Sequence, residues 1–418
     1  RWRALAVEGA STDWQRALAT RFARVQSNGI EHHVHVEPLG LPRSLAPVVA
    51  GVFGLDNRPR GEAHVRVRAE PDALERALAI ADAAERYGFP AGLDGSGVTI
   101  GIAQFGGVFH AGDFAAAMAH ARVVRRDVEH RSVDGTHHRG ALNAGCEVAL
   151  DTQLAGALAP GAQFVCYDAP NEDRGYIDGI AAALTDFERA PTIVSISFGV
   201  PEHALSASAR HVLDELLAVA ALIGICVVAS SGDHGIDALG SVHRAVNYPA
   251  ASPFVLACGG TQLEFDHRRV VSERVWHDGE FAAGGGFSAH HAVPAWQTNA
   301  PGIARDYGER AGRGVPDVAA QAAPGYRIVH DGRMVVMGGT SAAAPVWAAL
   351  LACIQQRLGS PLGLVAPHLY DPAPAMPFFR DITSGTNGHY HARRGWDPCT
   401  GLGTPDGAAL LAALAGSA

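Results

Sequence analysis

No run in the sequence stays apolar for the ~20 residues that a membrane-crossing helix needs. The nearest approach, "LDELLAVAALIGICVVASSGD", opens with acids and carries a glycine in its middle, which suits a helix running into a buried strand. A basic excess is missing too: the formal net charge is −9, so there is no electrostatic footing for nucleic acid. Six cysteines (Cys146, Cys166, Cys226, Cys258, Cys353, Cys399) are scattered without a CxxC or a zinc spacing. Cys166, Cys226 and Cys258 stand in apolar runs, where cysteine serves as a small hydrophobe, and no disulfide is assigned. There is no internal repeat and no low-complexity segment. No charged n-region followed by an apolar h-region opens the chain, which starts at Arg1 as though a piece upstream had been removed.

What is present is ordinary globular chemistry. The chain has 418 residues, 48% hydrophobic and 18% charged, enough for a large core and two or three domains. Histidine is abundant: adding 21 protons to a charge of −9 gives +12, which suits a protein that passes through acid.

Residues 1 to about 60 stand apart. "STDWQRALATRFAR" has helical spacing behind a Ser/Thr/Asp cap cluster, "IEHHVHVEPLGLP" predicts a strand and turn, and "RSLAPVVAGVFGLDNRPRG" predicts a short helix. His33 and His35 share a strand face and form a possible metal pair, but no third ligand is near. The charged "RPRGEAHVRVRAEPD" lacks periodicity and suggests an exposed linker. Beyond it strand and helix patterns alternate. Continuous apolar runs at 98–105, 162–169, 192–198, 224–231 and 254–260 predict parallel strands buried on both faces. Helical segments fall between them, giving an open α/β sheet whose sites lie beyond the carboxyl ends of its strands.

"VMGGTSAAAPVWAALL" delivers Ser341 at the start of a buried helix. Glycines allow the tight turn, and free N–H groups at a helix N-terminus can receive an oxyanion. A plain N-cap at Thr340 or Ser341 explains the same residues. A nucleophile needs a base. "DGTHHRGA" imitates a catalytic-histidine helix start, but His137 and His138 are followed by Arg139 and Gly140 with no small-residue helix. In "GCEVALDTQLAGALAPGA", Glu147 and Asp151 lie four apart and share one helix face. Val148, Leu150, Leu154, Ala155 and Leu158 leave only a narrow polar strip that holds both acids; a solvent-facing acidic pair is the alternative. Asp233, in "VVASSGDHGID", follows a buried strand at its carboxyl end. Together these give a mechanism: Glu147 takes the Ser341 proton, Asp151 shares a proton with Glu147, and protonated Asp233 donates to the oxyanion beside the Ser341 N–H. A carboxylate base and a neutral carboxyl donor both call for acidic conditions.

With these motifs the chain resembles the sedolisin family of serine-carboxyl peptidases. "SSGDHG", "GGTSAAAP", the ExxxD of Glu147 and Asp151, and "DITSGTNGHYHARRGWDPCTGLGTP" occur in the family's order, with "GGGFS" and "RGVPDVAA" between them. The resemblance implies a subtilisin-like, mainly parallel sheet flanked by helices over 91–418, preceded by part of an α+β propeptide over 1–60 and a linker over 61–90. Cleavage within roughly 58–75 would release the mature enzyme. It also implies one structural Ca²⁺, held by Asp381 and Asp397 and by carbonyls of Ile382, Arg393 and Gly395; a metal-free Asp/Gly loop is the alternative. Oxygen donors suit that hard cation. The chain departs from the family pattern at Arg393, where Gly is usual. It departs again at Gln104 and Phe198, where some members extend the catalytic network with Glu and Trp, so that network is expected to be missing here. "SFGV" at 197–200 is expected to line the cleft and take an extended peptide as an added strand.

The expected protein is a secreted, monomeric, acid-active endopeptidase made as a zymogen, with its own propeptide and protein substrates as partners, and neither nucleic acid nor membrane. A tripeptidyl-peptidase, a non-catalytic peptide-binding scaffold and a histidine-based neutral protease are the competing readings.

Overall fold

The computed structural model describes residues 4–27, 29–68, 72–124, 128–134, 142–236, 245–266, 269–298, 300, 312–370 and 378–416. An eight-stranded sheet forms the centre. Across it run Arg269–Val275, Leu256–Asp266, Cys226–Ser230, Ile193–Ile196, Thr99–Phe105, Gln163–Ala169 and Glu129–Ser132, with Val318–Ala323 also pairing Leu256–Asp266. Only Arg269–Val275 is antiparallel. All five apolar runs are strands of this sheet, and their inner residues are buried, as two covered faces demand. In-register pairs such as Ile102 with Ser195, and Ser195 with Val228, bring the carboxyl ends of neighbouring strands to one edge.

Helices cover both faces. Asp173–Thr185 and Ala207–Leu222 alternate apolar and polar residues and bury one face each. Thr340–Leu358 differs: every residue from Thr340 to Gln355 is buried, the pattern of a helix enclosed on all sides. It packs against Leu142–Leu158, which carries Glu147 and Asp151. Gln153 pins that second helix with two bonds to Val329, one from Nε2 to the carbonyl (2.7 Å) and one from the Val329 amide (2.9 Å).

Near the start, a helix over Ser11–Ala17 leads into a hairpin of Phe22–Ser27 and Ile30–His35. The helix predicted within 43–61 does not form. The chain makes only isolated turns around Pro42–Val49, and Gly51, Gly54 and three prolines within 42–59 explain why no longer helix grows. His33 is exposed and the His35 ring contacts the Glu37 carbonyl at 3.0 Å. Among the described residues neither belongs to a metal-ligating cluster.

The larger correction concerns the expected exposed linker. Asp56 is buried and paired with Arg58 and Arg60, and the amides of Arg60 and Gly61 both donate to Asn171 Oδ1. Ala63, His64 and Val65 are then almost wholly buried. Glu62–Ala63 pairs antiparallel with Phe198–Pro201, and Arg66–Arg68 pairs antiparallel with Arg333–Gly338. Two strand edges stood ready to receive an extended chain, and these hydrogen bonds outweigh the segment's lack of periodicity.

Candidate active site

Ser341 sits in the first turn of its helix, just after Gly339, whose φ of 93° belongs to the left-handed region that glycine tolerates. Its Oγ donates to Glu147 Oε2 at 2.8 Å and lies 3.2 Å from the Ser197 carbonyl. Pro345 has no N–H to offer the Ser341 carbonyl, and Ser197 Oγ stands 3.4 Å from that oxygen.

Glu147 and Asp151, one helical turn apart, are both fully buried and in side-chain hydrogen-bond contact. This disposes of the solvent-facing acidic pair. Burial, and for Glu147 the neighbouring Asp151 charge, push both carboxyls up. Asp151 Oδ1 accepts from Ser197 Oγ (2.7 Å) and Oδ2 from Gln104 Nε2 (3.0 Å). Glu147 Oε1 has no other donor, which leaves it for a proton shared with Asp151. The extension expected to be missing is absent at Phe198, while at Gln104 a single bond to the acid pair remains. Gln104 supplies a neutral donor at the end of Thr99–Phe105, and Ser197 supplies a second one. Phe198 packs its ring edge-on against Phe105 instead of joining the network.

Asp233, also fully buried, caps the Ser341 helix. Its Oδ1 accepts from the Thr340 amide (2.8 Å) and from Thr340 Oγ1 (2.9 Å), while Thr340 Oγ1 accepts from the Gly232 amide (3.0 Å). A carboxylate at a helix N-terminus meets the positive end of the dipole. Burial still raises Asp233 to about 6, against the opposing pull of Arg66 and Thr340. Arg66 Nε stands 2.9 Å from Asp233 Oδ2 as an ionic contact, not aligned as a hydrogen bond. Arg66 also lies over the Phe281 ring and reaches Glu62 and His234. All four sequence-predicted residues thus converge at the carboxyl edge of the sheet. His137 and His138 lie outside the described residues. Ser197 and Thr340 stood in quoted motifs but gave no signal of their own, since serine and threonine near strand ends and helix starts are common.

The cleft in front of Ser341 is filled by the chain itself. The His64 amide donates to the Ser197 carbonyl (3.2 Å), and the Ser341 amide donates to the His64 carbonyl (3.0 Å). A Cβ on Gly339 would meet His64 O at 2.2 Å and Asp233 Oδ2 at 2.6 Å, so both oxygens crowd one point beside the nucleophile's helix. A separate cavity of about 700 Å³, lined in part by Ile80, Ala117, Arg327 and Met334, touches none of these groups.

Of the metal ligands implied at the C-terminal end, Asp381 and Asp397 both bond to the 393–397 loop. Asp381 Oδ2 accepts from the Gly395 amide (2.9 Å), and Asp397 Oδ2 from the Arg393 amide (3.0 Å). Burial raises Asp397 to about 6 despite bonds from the Arg393, Thr400 and Cys399 amides, and also raises Asp381. Two carboxyls made costly to ionise, both held to the same loop, are a donor set that fits a hard divalent cation. Arg393 is not among the described non-glycine residues with positive φ, so its replacement of the family's usual Gly needs no unusual backbone.

The subtilase family matches residues 95–368. Kumamolisin of Bacillus sp. (strain MN-32) is 43% identical over 92% of this chain and 74% of its own length. Sedolisin of Pseudomonas sp. (strain 101) is 29% identical over 98% and 74%, and human tripeptidyl-peptidase 1 is 30% identical over 95% and 78%. The solved structure of Pseudomonas sedolisin, a serine-carboxyl proteinase complexed with two molecules of pseudo-iodotyrostatin, superposes with a TM-score of 0.71 at 25% identity, covering 81% of this chain and 98% of that one. With the subtilisin-like sheet and these relatives together, the chain belongs to the sedolisin family and is a serine-type peptidase.

Proposed function

We propose that the protein is an acid-active serine-carboxyl endopeptidase made as a zymogen. The observation that carries this reading is the buried chain Ser341 Oγ to Glu147 (2.8 Å), with Glu147 in contact with Asp151. Glu147 takes the Ser341 proton as Oγ attacks the substrate carbonyl, then returns it to the leaving amine. Asp151, fixed by Gln104 and Ser197, orients Glu147 and shares its proton. The Ser341 amide and protonated Asp233 receive the oxyanion. Asp233, raised to about 6, carries its donor proton below that pH, so turnover belongs to acid.

Endopeptidase action is favoured over tripeptide removal by the path of the chain along the cleft. Three residues end at His64, yet the chain continues upstream through Gly61 and Arg60, both held by Asn171. Residues 1 to about 60 act as the distal part of a propeptide, and the cleft-filling segment supports a zymogen. Secretion as a monomer completes this reading; among the described residues no helix is long and apolar enough to cross a membrane. One Ca²⁺ held by Asp381, Asp397 and the carbonyls of Ile382, Arg393 and Gly395 would tie the C-terminal loop to the body. At about pH 4 the protein should cleave denatured protein, and Ser341→Ala should abolish this; full activity in that variant contradicts the proposal. A blocked peptide cut internally separates endopeptidase from tripeptidyl-peptidase.

A further inference from the structure

The turn between Tyr326–His330 and Arg333–Gly338 carries a group of side chains that takes no part in the active site. His330 pairs with Arg333 across a two-residue loop, and both loop residues are left-handed, Asp331 with φ 51° and Gly332 with φ 70°. An Asp-Gly pair suits that loop, because aspartate tolerates the left-handed region and glycine adopts it freely. Asp113, in the first turn of the Ala111–Ala121 helix, reaches across to the loop. Its Oδ2 accepts from the Asp331 amide (2.8 Å) and its Oδ1 from the Gly332 amide (2.9 Å), which leaves each oxygen a second lone pair.

His330 completes the group. Its Nε2 stands 3.8 Å from Asp331 Oδ2, and one donor atom from each of Asp113, His330 and Asp331 lies within 4.8 Å of the other two. Among the described residues this is the one such trio of histidine, cysteine or acidic side chains. The turn accounts for Asp331 and the amide bonds for Asp113, but neither accounts for the imidazole. Its Nδ1 is buried without a hydrogen-bond partner, and its Nε2 faces the Cys146 sulfur at 3.5 Å. One neutral imidazole and two carboxylates carry the charge that a divalent cation cancels. Nitrogen beside oxygen suits a borderline cation such as Zn²⁺ better than Ca²⁺, which takes oxygen alone. Ligand bonds of about 2.0–2.2 Å would set the donors about 3.3 Å apart, and rotation of the Asp331 carboxylate, 77% exposed, can close the set.

We propose that Asp113, His330 and Asp331 form a Zn²⁺ site, separate in its residues from the proposed Ca²⁺ ligands, with water in the remaining coordination position. The ion would tie the first turn of Ala111–Ala121 to the hairpin. The hairpin's second strand runs directly into Gly339 and Ser341. Its first strand is fastened by Gln153, through Val329, to the helix that bears Glu147 and Asp151. The site therefore braces the frame behind the catalytic residues, and its effect is read in stability.

The test uses full-length protein at about pH 7, stripped with a chelator and then given excess CaCl2 so that the proposed Ca²⁺ ligands are engaged. Titration with ZnCl2 should show one tightly bound Zn²⁺ per chain, and Tm should rise by about 3 °C at about a hundredfold excess over Kd. His330→Ala should weaken zinc binding by about tenfold or more, as loss of a ligand must exceed loss of a ligand's support. Asp331→Asn keeps a residue suited to the left-handed turn, so the hairpin still forms, and it should weaken binding to a similar degree. Zinc should no longer raise the Tm of either variant. No zinc binding by the parent protein, or full binding by either variant, overturns the proposal.

Discussion

At the residue scale, three of the four oxygens of the buried acid pair accept a hydrogen bond, and Glu147 Oε1 is left for the proton shared with Asp151. Asp151 accepts two donors, from Ser197 and Gln104, and both favour its charged form. Gln104→Leu removes one of them and leaves a buried carboxylate oxygen unsatisfied. The acid limb of kcat/KM should then move to higher pH by about one unit, because losing a donor to a charged group raises its pKa. An acid limb that stays in place would show that Gln104 only fills space. The sequence made Glu147, Asp151, Asp233 and Ser341 legible because acids in apolar runs and a Gly-Gly-Thr-Ser helix start are unusual enough to stand out. It did not show the bonds of Gln104 and Ser197 to Asp151. A buried glutamine or serine costs little to bury once bonded, and the bond that gives it meaning exists only after the sheet forms.

At the scale of elements, the parallel strands and the enclosed helices were readable from continuous apolar runs. The segment 58–68 was not. Its charged residues have no period because each is satisfied individually: Arg58 and Arg60 by Asp56, Glu62 by His234, and Arg66 by Asp233. Hydrophobic pattern cannot announce a strand whose partners are active-site edges. Arg66 gives this element a pH dependence, because its cation lowers an Asp233 carboxyl that burial has raised to about 6. Arg66→Ala should let Asp233 keep its proton to higher pH, moving the pH midpoint of the expected cleavage within roughly 58–75 upward by about one unit. A midpoint that falls or stays fixed would mean that Asp233 does not control the step.

For the whole molecule, the buried acids set how stability varies with pH. Glu147, Asp151, Asp233 and Asp397 are all raised, so the folded chain binds more protons than the unfolded one above about pH 4. Stability from these groups therefore falls as pH rises from about 4, through about 6 for Asp233 and Asp397 and about 7 for Asp151. The cleft-filling segment behaves in the opposite sense. Burial lowers His64 to about 4, so its burial as a neutral ring grows costly as pH falls below the ordinary histidine range. Glu62 is held near 2 by His234, His64 and Arg66 against the effect of burial, and its contribution is lost as pH falls from the ordinary range toward that value. Acid thus favours the enzyme body while loosening the segment that fills it. The proposed Ca²⁺ would act at the neutral end, where Asp397 would otherwise carry a poorly solvated charge. Metal-stripped protein given Ca²⁺ should gain about 3 °C or more in Tm at pH 7, and much less at pH 4. No gain at pH 7 would remove calcium from the account.

The central claim is that carboxyl groups, with no histidine base, serve Ser341. Its most direct test is the pH–rate profile on denatured protein for Glu147→Gln beside His137→Ala and His138→Ala. Glutamine can keep the Ser341 bond and offer Asp151 a donor, but it cannot take a proton. The account predicts a wild-type optimum in acid, a loss of about 10² to 10⁴ in kcat for Glu147→Gln with the fold intact, and near-normal rates for both histidine variants. A neutral optimum, abolished by either histidine variant and kept by Glu147→Gln, would contradict it.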